Sequence, residues 1–460
     1  MLALRTLCAC VLTFASASET FLVKRADGDD DDESYIYANL TSENDLYYIN
    51  LEVGSNKQQL SVVVDTGSAD LWFPSVSECK TRNCANDDFF NTSASTSFHT
   101  NQTAFQVTGS NDIVASGYYA QDSINVFGKE IEYANFAISN STNETSGYLG
   151  LAYPALESAN LTDDQIYSNF LTQLVENKYI HRPAYSLYFG DESPSILFGA
   201  IDTGKVNGEL TQFDIVHINQ EHFTKIAISM NHLNYDGTEG LQSIGDGYYP
   251  VVLGTGTDYS MIPADFVDSV GSIITLEFDE DADEAIGGVY YVDCISIIEG
   301  ELIFAFQNVE FSVPFAYFFS GSDKRDGQCY LNAIVTKDGY IELGSSVLQY
   351  FYITVDLEDN KVGLGEAAQH PTHGEIHVIK DSIGDLVHPP TKNVYGKDGH
   401  DSFGFFDNQV ANTPSNSSTT TSSGSNSPAT SVSSSSSRND ASVLFVSNLS
   451  YGALILALLM

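Results

Sequence analysis

The sequence has 460 residues, enough for one large two-lobed domain or for two to three smaller ones. Apolar residues make up 42% of it and provide a core, while 19 Lys and Arg against 61 Asp and Glu give a formal net charge of −42. A surface this acidic repels a phosphate backbone, which excludes nucleic acid as a partner. It suits an acidic exterior, where carboxylates begin to protonate and repel one another less.

The amino terminus carries the features of a secretory signal peptide over residues 1–17. Arg5 precedes an apolar stretch, and small residues at 15–17 form the expected cleavage region. Residues 18–25 follow as a short propeptide that ends in a Lys-Arg pair. These segments predict an extracellular protein.

Residues 35–367 are dominated by short β-strand patterns. Runs rich in Val, Ile, Tyr and Phe are separated by Gly, Asn and Asp, and examples are YYINLEV, QLSVVVD, AYSLYFG, SILFGA, YYPVVL and FYITVDL. A helical pattern is clearest from Asp164 to Lys178. The sequence therefore predicts a mostly antiparallel, all-β protein.

An unusual turn occurs twice in this region. The segments VVVDTGSADLWFP at 62–74 and VVLGTGTDYSMIP at 251–263 share a β-branched run, a Thr-Gly-(Ser/Thr) turn and a closing Pro. A second pair of signatures, GYLGLAYP and YIELGSSVL, follows the two turns at similar distances. The repeat predicts two lobes, residues 35–195 and 196–367, related by an approximate two-fold axis. The two turns would meet at the floor of a cleft between the lobes.

The first copy of the turn begins with Asp65, a residue type suited to peptide hydrolysis. Two Asp carboxylates about 3 Å apart cannot both ionise, so they share a proton; one activates water and the other protonates the scissile carbonyl oxygen. A lone Asp-Thr-Gly is also the pattern of an ordinary Asx turn. The repeat favours the catalytic interpretation, in which the cleft floor is built by Thr66, Gly67, Ser68, Thr255, Gly256 and Thr257.

Four cysteines remain once the signal peptide has been removed. They are Cys79, Cys84, Cys294 and Cys329, and secretion makes disulfides their expected state, with three possible connectivities. Because each pair lies within one half of the repeat, the local pairing 79–84 and 294–329 is favoured. Their spacings fit no zinc-site pattern, and the sequence predicts neither a metal nor another cofactor.

Asn-x-Ser/Thr sequons are concentrated in the first half of the mature chain. They are Asn39, Asn91, Asn101, Asn140, Asn143, Asn160 and Asn416. All but the last precede the second copy of the turn, so we expect the amino-terminal lobe to be heavily glycosylated.

The carboxy-terminal region divides into a stalk and an apolar tail. Residues 368–442 are polar and become dominated by Ser and Thr, whereas residues 443–460 end in the apolar run ALILALLM. The tail has polar interruptions, no basic flank and a small-residue spacer before it. These features favour a glycosylphosphatidylinositol (GPI) attachment signal over a retained transmembrane helix, with attachment between Ser431 and Ala441.

Residues 45–367 resemble a pepsin-type aspartic endopeptidase. The resemblance rests on DTGSADLW, SGYLGLAYP, AYSLYFG, SILFGAIDTGKVNGEL, both cysteine pairs and the closing VDLEDNKVGLGEA. The signal peptide, the Lys-Arg site, the stalk and the tail narrow it to the GPI-anchored yapsin type of fungi. The resemblance implies a bilobal acid-protease fold, a location at the plasma membrane or cell wall, and Asp65 as the first catalytic aspartate.

Three departures from the family pattern bear on activity. Gly254 stands where the second catalytic aspartate is expected. An ungapped match of FQVTGSNDIVASG to the family's flap places Gly109 where a Tyr belongs, so Trp72 would lack that Tyr as its hydrogen-bond partner. The propeptide is also far shorter than the family's inhibitory segment. The site is therefore interpreted as degenerate.

Other carboxylates near the turns are weak substitutes for the missing aspartate. Asp258 follows Gly254 by four residues, and a solvated loop residue is favoured there over a partner of Asp65. Asp70 is interpreted as a surface residue. Without a neighbour, Asp65 is expected to titrate as an ordinary carboxylate, and Gly254→Asp is expected to restore part of the pair.

Two functional hypotheses follow from the sequence. In one, the protein is an active GPI-anchored endopeptidase that processes cell-wall or secreted proteins with Asp65 and an unconventional partner. In the other, which the departures favour, it is a catalytically impaired, monomeric cell-surface protein. Its cleft would bind polypeptides or cell-wall glycoprotein segments through main-chain hydrogen bonds. Peptide cleavage in acid distinguishes the two hypotheses.

Overall fold

A computed structural model describes most residues between 34 and 388. The residues it describes are 34–76, 89–108, 114–159, 167–190, 192–218, 223–282, 288–307, 309–321, 325–336, 340–372, 374–384 and 387–388. Most of the regular structure is β-strand, so the all-β class expected from the sequence is confirmed. No helix within these ranges is long and apolar enough to cross a bilayer.

The first half of the chain builds the amino-terminal lobe. In chain order its elements are β1 (Ile36–Asn39), β2 (Thr41–Glu43), β3 (Leu46–Val53), β4 (Gln58–Asp65), β5 (Leu71–Pro74), β6 (His99–Thr108), β7 (Val114–Val126), β8 (Lys129–Thr142), β9 (Gly147–Gly150), α1 (Phe170–Glu176), β10 (Ala184–Tyr188), β11 (Ser195–Phe198), β12 (Ala200–Asp202) and β13 (Val206–Asp214). Strands β2 to β9 form an eight-stranded sheet in the order β2-β3-β4-β9-β5-β8-β7-β6. Buried residues alternate with partly buried or exposed ones along β3, as expected of a strand with one face on the core.

The second half of the chain repeats this plan. Its elements are β14 (Ala227–Gly237), β15 (Gly240–Leu253), β16 (Ser260–Pro263), α2 (Ala264–Ile273), β17 (Glu277–Asp279), β18 (Val289–Asp293), β19 (Gly300–Phe306), β20 (Val309–Pro314), β21 (Phe319–Gly321), β22 (Gln328–Leu331), β23 (Ala333–Thr336), β24 (Ile341–Leu343), α3 (Ser345–Leu348), β25 (Phe351–Asp356), β26 (Lys361–Ala367), β27 (Ile376–Val378) and β28 (Val387–His388). The main sheet has the order β20-β19-β14-β15-β24-β16-β23, and a smaller one has the order β17-β18-β22-β21.

A further sheet joins the two lobes. Its order is β1-β11-β10-β25-β26-β13-β28, so strands from both halves of the chain are hydrogen-bonded side by side. Arg182, just before β10, forms a buried ion pair with Asp356 at the end of β25, with 3.0 Å between guanidinium nitrogen and carboxylate oxygen. This sheet fixes the relative position of the lobes, and with it the position of the two turns.

The internal repeat is visible in the strand register. Strand β9 lies between β4 and β5, parallel to the first and antiparallel to the second, and its Tyr148 is paired with Trp72. Strand β24 lies in the same way between β15 and β16, and its Glu342 is paired with Met261. Tyr148 and Glu342 therefore occupy equivalent positions in the two lobes.

Helix α1 begins later than its sequence pattern indicates. Within the described residues, 167–169 are not helical, and Asn169 has an extended backbone. Its side-chain Oδ1 accepts a hydrogen bond from the amide of Thr172 at 3.1 Å, which makes Asn169 the N-cap. The apolar periodicity did not reveal this start because it continues through the capping residue.

Asp70 is buried, and the interpretation of it as a surface residue is wrong. Its Oδ1 accepts hydrogen bonds from the hydroxyls of Tyr119 and Tyr167, both at 2.8 Å, and its Oδ2 accepts one from the amide of Ser158 at 2.9 Å. Burial raises the pKa of Asp70, and these three hydrogen bonds lower it. Ser158 Oγ also accepts from the amide of Gln106 in β6 at 3.1 Å, so the cluster supports the β6–β7 hairpin. The donors are distant in sequence, and a local pattern cannot show them.

Glu157 is a second buried carboxyl group beside Asp70. Its Oε2 accepts a hydrogen bond from the amide of Tyr167 at 2.9 Å, and its Oε1 has no hydrogen-bond partner in the described part of the chain. Burial raises the pKa of Glu157 to about 8; the Tyr167 hydrogen bond opposes this rise and the Asp70 charge adds to it. Glu157 is therefore a neutral acid at low pH and a poorly compensated buried charge above neutrality.

The asparagines of the predicted sequons differ in exposure. Asn39, Asn91, Asn101 and Asn143 are exposed, and Asn140 is partly exposed. Asn160 and Asn416 lie outside the described residues. The exposed positions are accessible to a glycosylating enzyme.

A disulfide joins Cys294, just after β18, to Cys329 in β22, with the two Cα atoms 5.0 Å apart. This is the local pairing that the sequence favours for the carboxy-terminal lobe. Cys79 and Cys84 lie outside the described residues.

We predict that Cys294→Ala/Cys329→Ala lowers the free energy of unfolding by about 3 to 4 kcal/mol. The bond closes a loop with a sequence separation of 35, and its removal restores conformational freedom to the unfolded chain. Urea unfolding of the double variant and the parent measures the difference. A loss below about 1 kcal/mol would contradict the prediction.

The raised pKa of Glu157 makes the stability of the fold depend on pH. The group titrates at about 4.5 in the unfolded chain and at about 8 in the fold, so its contribution to stability is present below pH 4.5 and is lost as the pH rises through 8. We predict that Glu157→Gln changes the free energy of unfolding little at pH 4. At pH 8 it should raise that free energy by on the order of a few kcal/mol.

Unfolding in urea at the two pH values measures this effect. Glu176→Gln, at an exposed position on α1, is the matched control and should show no comparable pH dependence. Equal effects of Glu157→Gln at both pH values would mean that the carboxyl group is not the cause.

Candidate active site

The two repeated turns are in contact, and a threonine from each turn forms hydrogen bonds with the opposite turn and its strand. The hydroxyl of Thr66 donates to the carbonyl oxygen of Leu253, and the hydroxyl of Thr255 donates to that of Val64 at 2.6 Å. Each hydroxyl also accepts from the opposite threonine's amide, at 3.1 Å in both directions. Both threonines are buried, so these four bonds form a symmetric, water-excluded joint beneath the site.

Asp65 lies at the end of β4, directly above this joint. Its Oδ1 accepts the amide of Gly67 at 2.7 Å and its Oδ2 accepts the hydroxyl of Ser68 at 2.5 Å. Burial raises the pKa of Asp65, whereas the bonds from Ser68 and Gly67, the charge of Lys225 and the amide of Gly256 lower it. Because burial prevails, Asp65 does not titrate as the ordinary carboxylate that the sequence suggested.

Gly256 comes from the second turn and packs against the Asp65 carboxylate. A Cβ on Gly256 would lie 2.9 Å from Oδ2 and closer still to the other carboxylate atoms. The close approach requires glycine, and it lets the backbone of one turn contact the acid of the other.

The place of the second aspartate is filled by another side chain. A Cβ on Gly254 would lie 2.8 Å from both Cγ and Cδ of Glu342, and nearer still to its Oε1. Glu342 is 3% exposed and stands on β24, next to the strand that leads into the second turn. Its carboxyl group therefore occupies the volume that a side chain on residue 254 would need. Gly254→Asp alone would bring a second carboxylate against Glu342 unless the end of that side chain moved, so the expected rescue is tested most directly with Glu342 replaced as well.

Lys225 is the counter-ion of Glu342. Its Nζ lies 3.3 Å from Oε2 of Glu342, and its side chain is 23% exposed. Burial lowers the pKa of Lys225, but the charge of Glu342, with smaller contributions from Tyr340 and Asp65, outweighs burial and raises it. Lys225 therefore remains an ammonium ion throughout the acid and neutral range.

The carboxyl groups of Asp65 and Glu342 border one small space. The position of a Cβ on Gly67 would be 3.1 Å from Oδ1 of Asp65 and 3.7 Å from Oε1 of Glu342. With Lys225, the cleft floor thus holds two carboxyl groups and one ammonium group.

Thr257 shows how the second turn differs from the first. Ser68, its equivalent, donates to Asp65, whereas the Thr257 hydroxyl donates to the carbonyl oxygen of Tyr259 at 2.8 Å. The carbonyl oxygen of Thr257 accepts the amide of Ser345 at 2.9 Å. The second turn keeps its backbone structure and turns its hydroxyl away from the carboxylate position.

Asp258 is partly buried, so it is not the solvated residue expected from the sequence. Burial raises its pKa to about 6, and the charge of Asp45 adds to the rise. Its carbonyl oxygen accepts side-chain hydrogen bonds from Ser346 at 2.7 Å and Asn332 at 3.3 Å. It is Glu342 that fills the place of the missing carboxylate.

Trp72 is packed among aromatic rings. It stacks on Tyr148 with ring centroids 5.5 Å apart and lies 6.2 Å from the ring of Phe105 on β6. Gly109, which the sequence places at the tip of the β6–β7 hairpin, lies outside the described residues.

Glu342 and Lys225 are not among the site residues that the sequence predicts. The YIELGSSVL segment places a Glu where the first lobe has Tyr148, and a charge within so apolar a strand was the available signal for Glu342. Lys225 precedes β14 in a segment without a motif, and its position became visible only from the three-dimensional structure.

Comparison with known proteins agrees with this geometry. Residues 46–367 match the family model described as eukaryotic aspartyl protease. The chain is 26% identical over 437 residues to Aspartic proteinase MKC7 of Saccharomyces cerevisiae, covering 78% of this chain and 72% of that protein. It is 30% identical over 383 residues to Secreted aspartic protease 7 of Candida albicans, with coverages of 74% and 63%. It is 28% identical over 334 residues to Acid protease of Saccharomycopsis fibuligera, with coverages of 71% and 82%.

The family model spans more than half of the chain, and its range includes both turns and the strands that position them. The chain therefore belongs to the pepsin-like eukaryotic aspartyl protease family.

Proposed function

We propose that the protein is a cell-surface member of this family whose cleft binds extended polypeptides and whose ability to cleave them is impaired or lost. One observation carries the proposal. Gly254 stands opposite Asp65, and the Glu342 carboxyl group that fills its side-chain space is bound by Lys225.

Peptide hydrolysis by two carboxyl groups requires that one of them carry a proton. The ionised group takes a proton from water as the water oxygen bonds to the carbonyl carbon, and the protonated group gives its proton to the carbonyl oxygen. The C–N bond then breaks as the amine nitrogen takes up a proton, so one water is consumed for each bond cleaved. An ammonium ion bound to one carboxylate lowers its tendency to accept a proton, so that group is a poor base for the hydrolytic step.

Peptide binding does not need the second aspartate. Extended peptides add to a strand edge through main-chain hydrogen bonds, and the β6–β7 hairpin and the backbone of both turns offer such groups. The Thr66–Thr255 joint holds the two turns without any contribution from the carboxylates. Loss of catalysis is thus compatible with an intact cleft.

A second candidate is an active endopeptidase that uses Asp65 and Glu342. The position of Glu342 Oε1 within the space of a residue-254 side chain favours it. This function would require substrate to displace Lys225 from Glu342, so that the two carboxyl groups could share a proton.

Assays on the full-length protein, purified in detergent, test the proposal. We predict binding of peptides from a mixed library between pH 3 and 6, with a cleavage rate on the order of 10⁴-fold or more below that of an active family member measured alongside. Asp65→Asn should leave peptide binding nearly unchanged. Cleavage that is lost in both Asp65→Asn and Glu342→Gln would establish the second candidate instead. Absence of any peptide binding would reject the binding function.

We also propose that the protein is held at the cell surface by a GPI anchor. The composition of residues 1–17 and 443–460 supports this location, as do the exposed asparagines of the sequons. A relative that is named as a secreted protease also supports an extracellular site.

Phosphatidylinositol-specific phospholipase or wall-glucan digestion should release the protein from intact cells. We predict that the released form ends between Ser431 and Ala441, as determined by mass spectrometry of its carboxy-terminal peptide. A peptide that contains residues 454–460 would show that the apolar segment is retained in the membrane.

A further inference from the structure

We propose that Glu342 is the second carboxyl group of the cleft floor and that Lys225 is the positioning residue that prevents Glu342 and Asp65 from sharing a proton. The inference rests on the proposed function, because it gives a physical cause for the loss of catalysis.

Glu342 stands next to the second turn. Its backbone is on β24, whose Leu343 accepts the amide of Gly254 at 3.0 Å, so Glu342 is one residue from the strand contact that anchors the second turn. Its Oε1 faces the space above Gly67, where the Asp65 carboxylate also lies. A glutamate reaches this space from a neighbouring strand because Gly254 leaves it open.

Lys225 lies beside both the second turn and Glu342. The carbonyl oxygen of Ile226 accepts the amide of Leu253 at 2.9 Å, which places Lys225 beside the end of β15 and the start of the second turn. Its Nζ contacts Glu342 Oε2 and lies 6.0 Å from the centroid of the Tyr340 ring. Its charge acts on both Glu342 and Asp65.

Among the described residues, three tyrosines are the other ionisable groups whose charges are coupled to Lys225 or Asp65. Tyr340 lies beside Lys225, whereas Tyr148 and Tyr185 are within electrostatic reach of Asp65. Burial raises the pKa values of Tyr148 and Tyr185 above the usual range for tyrosine. These two phenols are therefore neutral at acidic pH, and the charge of the cluster depends on Asp65, Glu342 and Lys225.

The consequence concerns where the proton is. With Lys225 present, the Glu342 carboxylate is paired with the ammonium group and not with a proton held on Asp65. Without the ammonium group, we expect the two neighbouring carboxyl groups to share one proton between them. The cluster then has the proton donor and the base that the hydrolytic step requires.

Removal of the lysine charge tests this inference. Lys225→Met and Lys225→Gln in the full-length protein should bind pepstatin, a transition-state analogue, at least about tenfold more tightly than the parent at pH 4. Both should also cleave peptides slowly, with a bell-shaped dependence of the rate on acidic pH. Lys225→Arg keeps the positive charge and should not show the gain in pepstatin affinity.

Two kinds of control show whether the gain comes from the cluster. Lys361→Met removes an ammonium group of similar exposure from its ion pair with Asp214, away from the cleft, and should give no gain. Adding Asp65→Asn or Glu342→Gln to Lys225→Met should abolish the gain. These second substitutions would leave a merely structural effect of Lys225→Met unchanged.

A folded Lys225→Met or Lys225→Gln variant that binds pepstatin no better than the parent overturns the inference. In that case we would test the variant Gly254→Asp/Glu342→Ile/Lys225→Met, which rebuilds a pair of aspartates. Pepstatin binding by this variant would show that Glu342 is an unsuitable second carboxyl group, and no binding would show that another part of the cleft prevents it. The proposed function fails separately, if the parent itself cleaves peptides or binds none. A parent that cleaves peptides and loses activity with Lys225→Met overturns both.

Discussion

The reciprocal hydrogen bonds between Thr66 and Thr255 are the constraint on which the cleft depends. Each threonine donates to a strand carbonyl of the other lobe and accepts the other's amide, and both lie in the protein interior. Leaving a buried polar group without a partner costs free energy. Replacing either threonine would therefore leave hydrogen-bonding groups of the opposite turn unpaired. The carboxylate takes no part in these four bonds. A chain can therefore lose the aspartate of one turn and keep the turn.

Gly254, Glu342 and Lys225 depend on one another structurally. Glu342 needs the room that Gly254 leaves, because any Cβ at that position would collide with it. A carboxylate that is 3% exposed needs a partner, and Lys225 supplies it. Lys225 in turn would be a largely enclosed ammonium ion if Glu342 were absent. The neighbouring strand thus places a carboxyl group in the space beside Gly254, with Lys225 as its counter-ion.

The sequence predicted those parts of the fold that local pattern determines. The strands that lead into Asp65 and Gly254 are β-branched runs, and the duplicated turn by itself indicates two lobes. What it could not predict were contacts between side chains that are distant along the chain. Asp70 appears unremarkable beside Leu71, and its burial depends on Tyr119, Ser158 and Tyr167. The repeat did contain a signal for Glu342, because aligning GYLG of the first half with IELG of the second pairs Tyr148 with Glu342.

The response of the fold to acid depends on carboxyl groups other than Asp65. Burial raises the pKa values of Glu157 to about 8 and of Asp258 to about 6, so both side chains become neutral as the pH falls. A group with a raised pKa in the fold stabilises the native state toward low pH, which is the direction in which the net charge of −42 also diminishes. Neither Glu157 nor Asp258 belongs to the hydrogen-bonded frame of Asp65. The stability of the fold in acid therefore does not require an aspartate at residue 254.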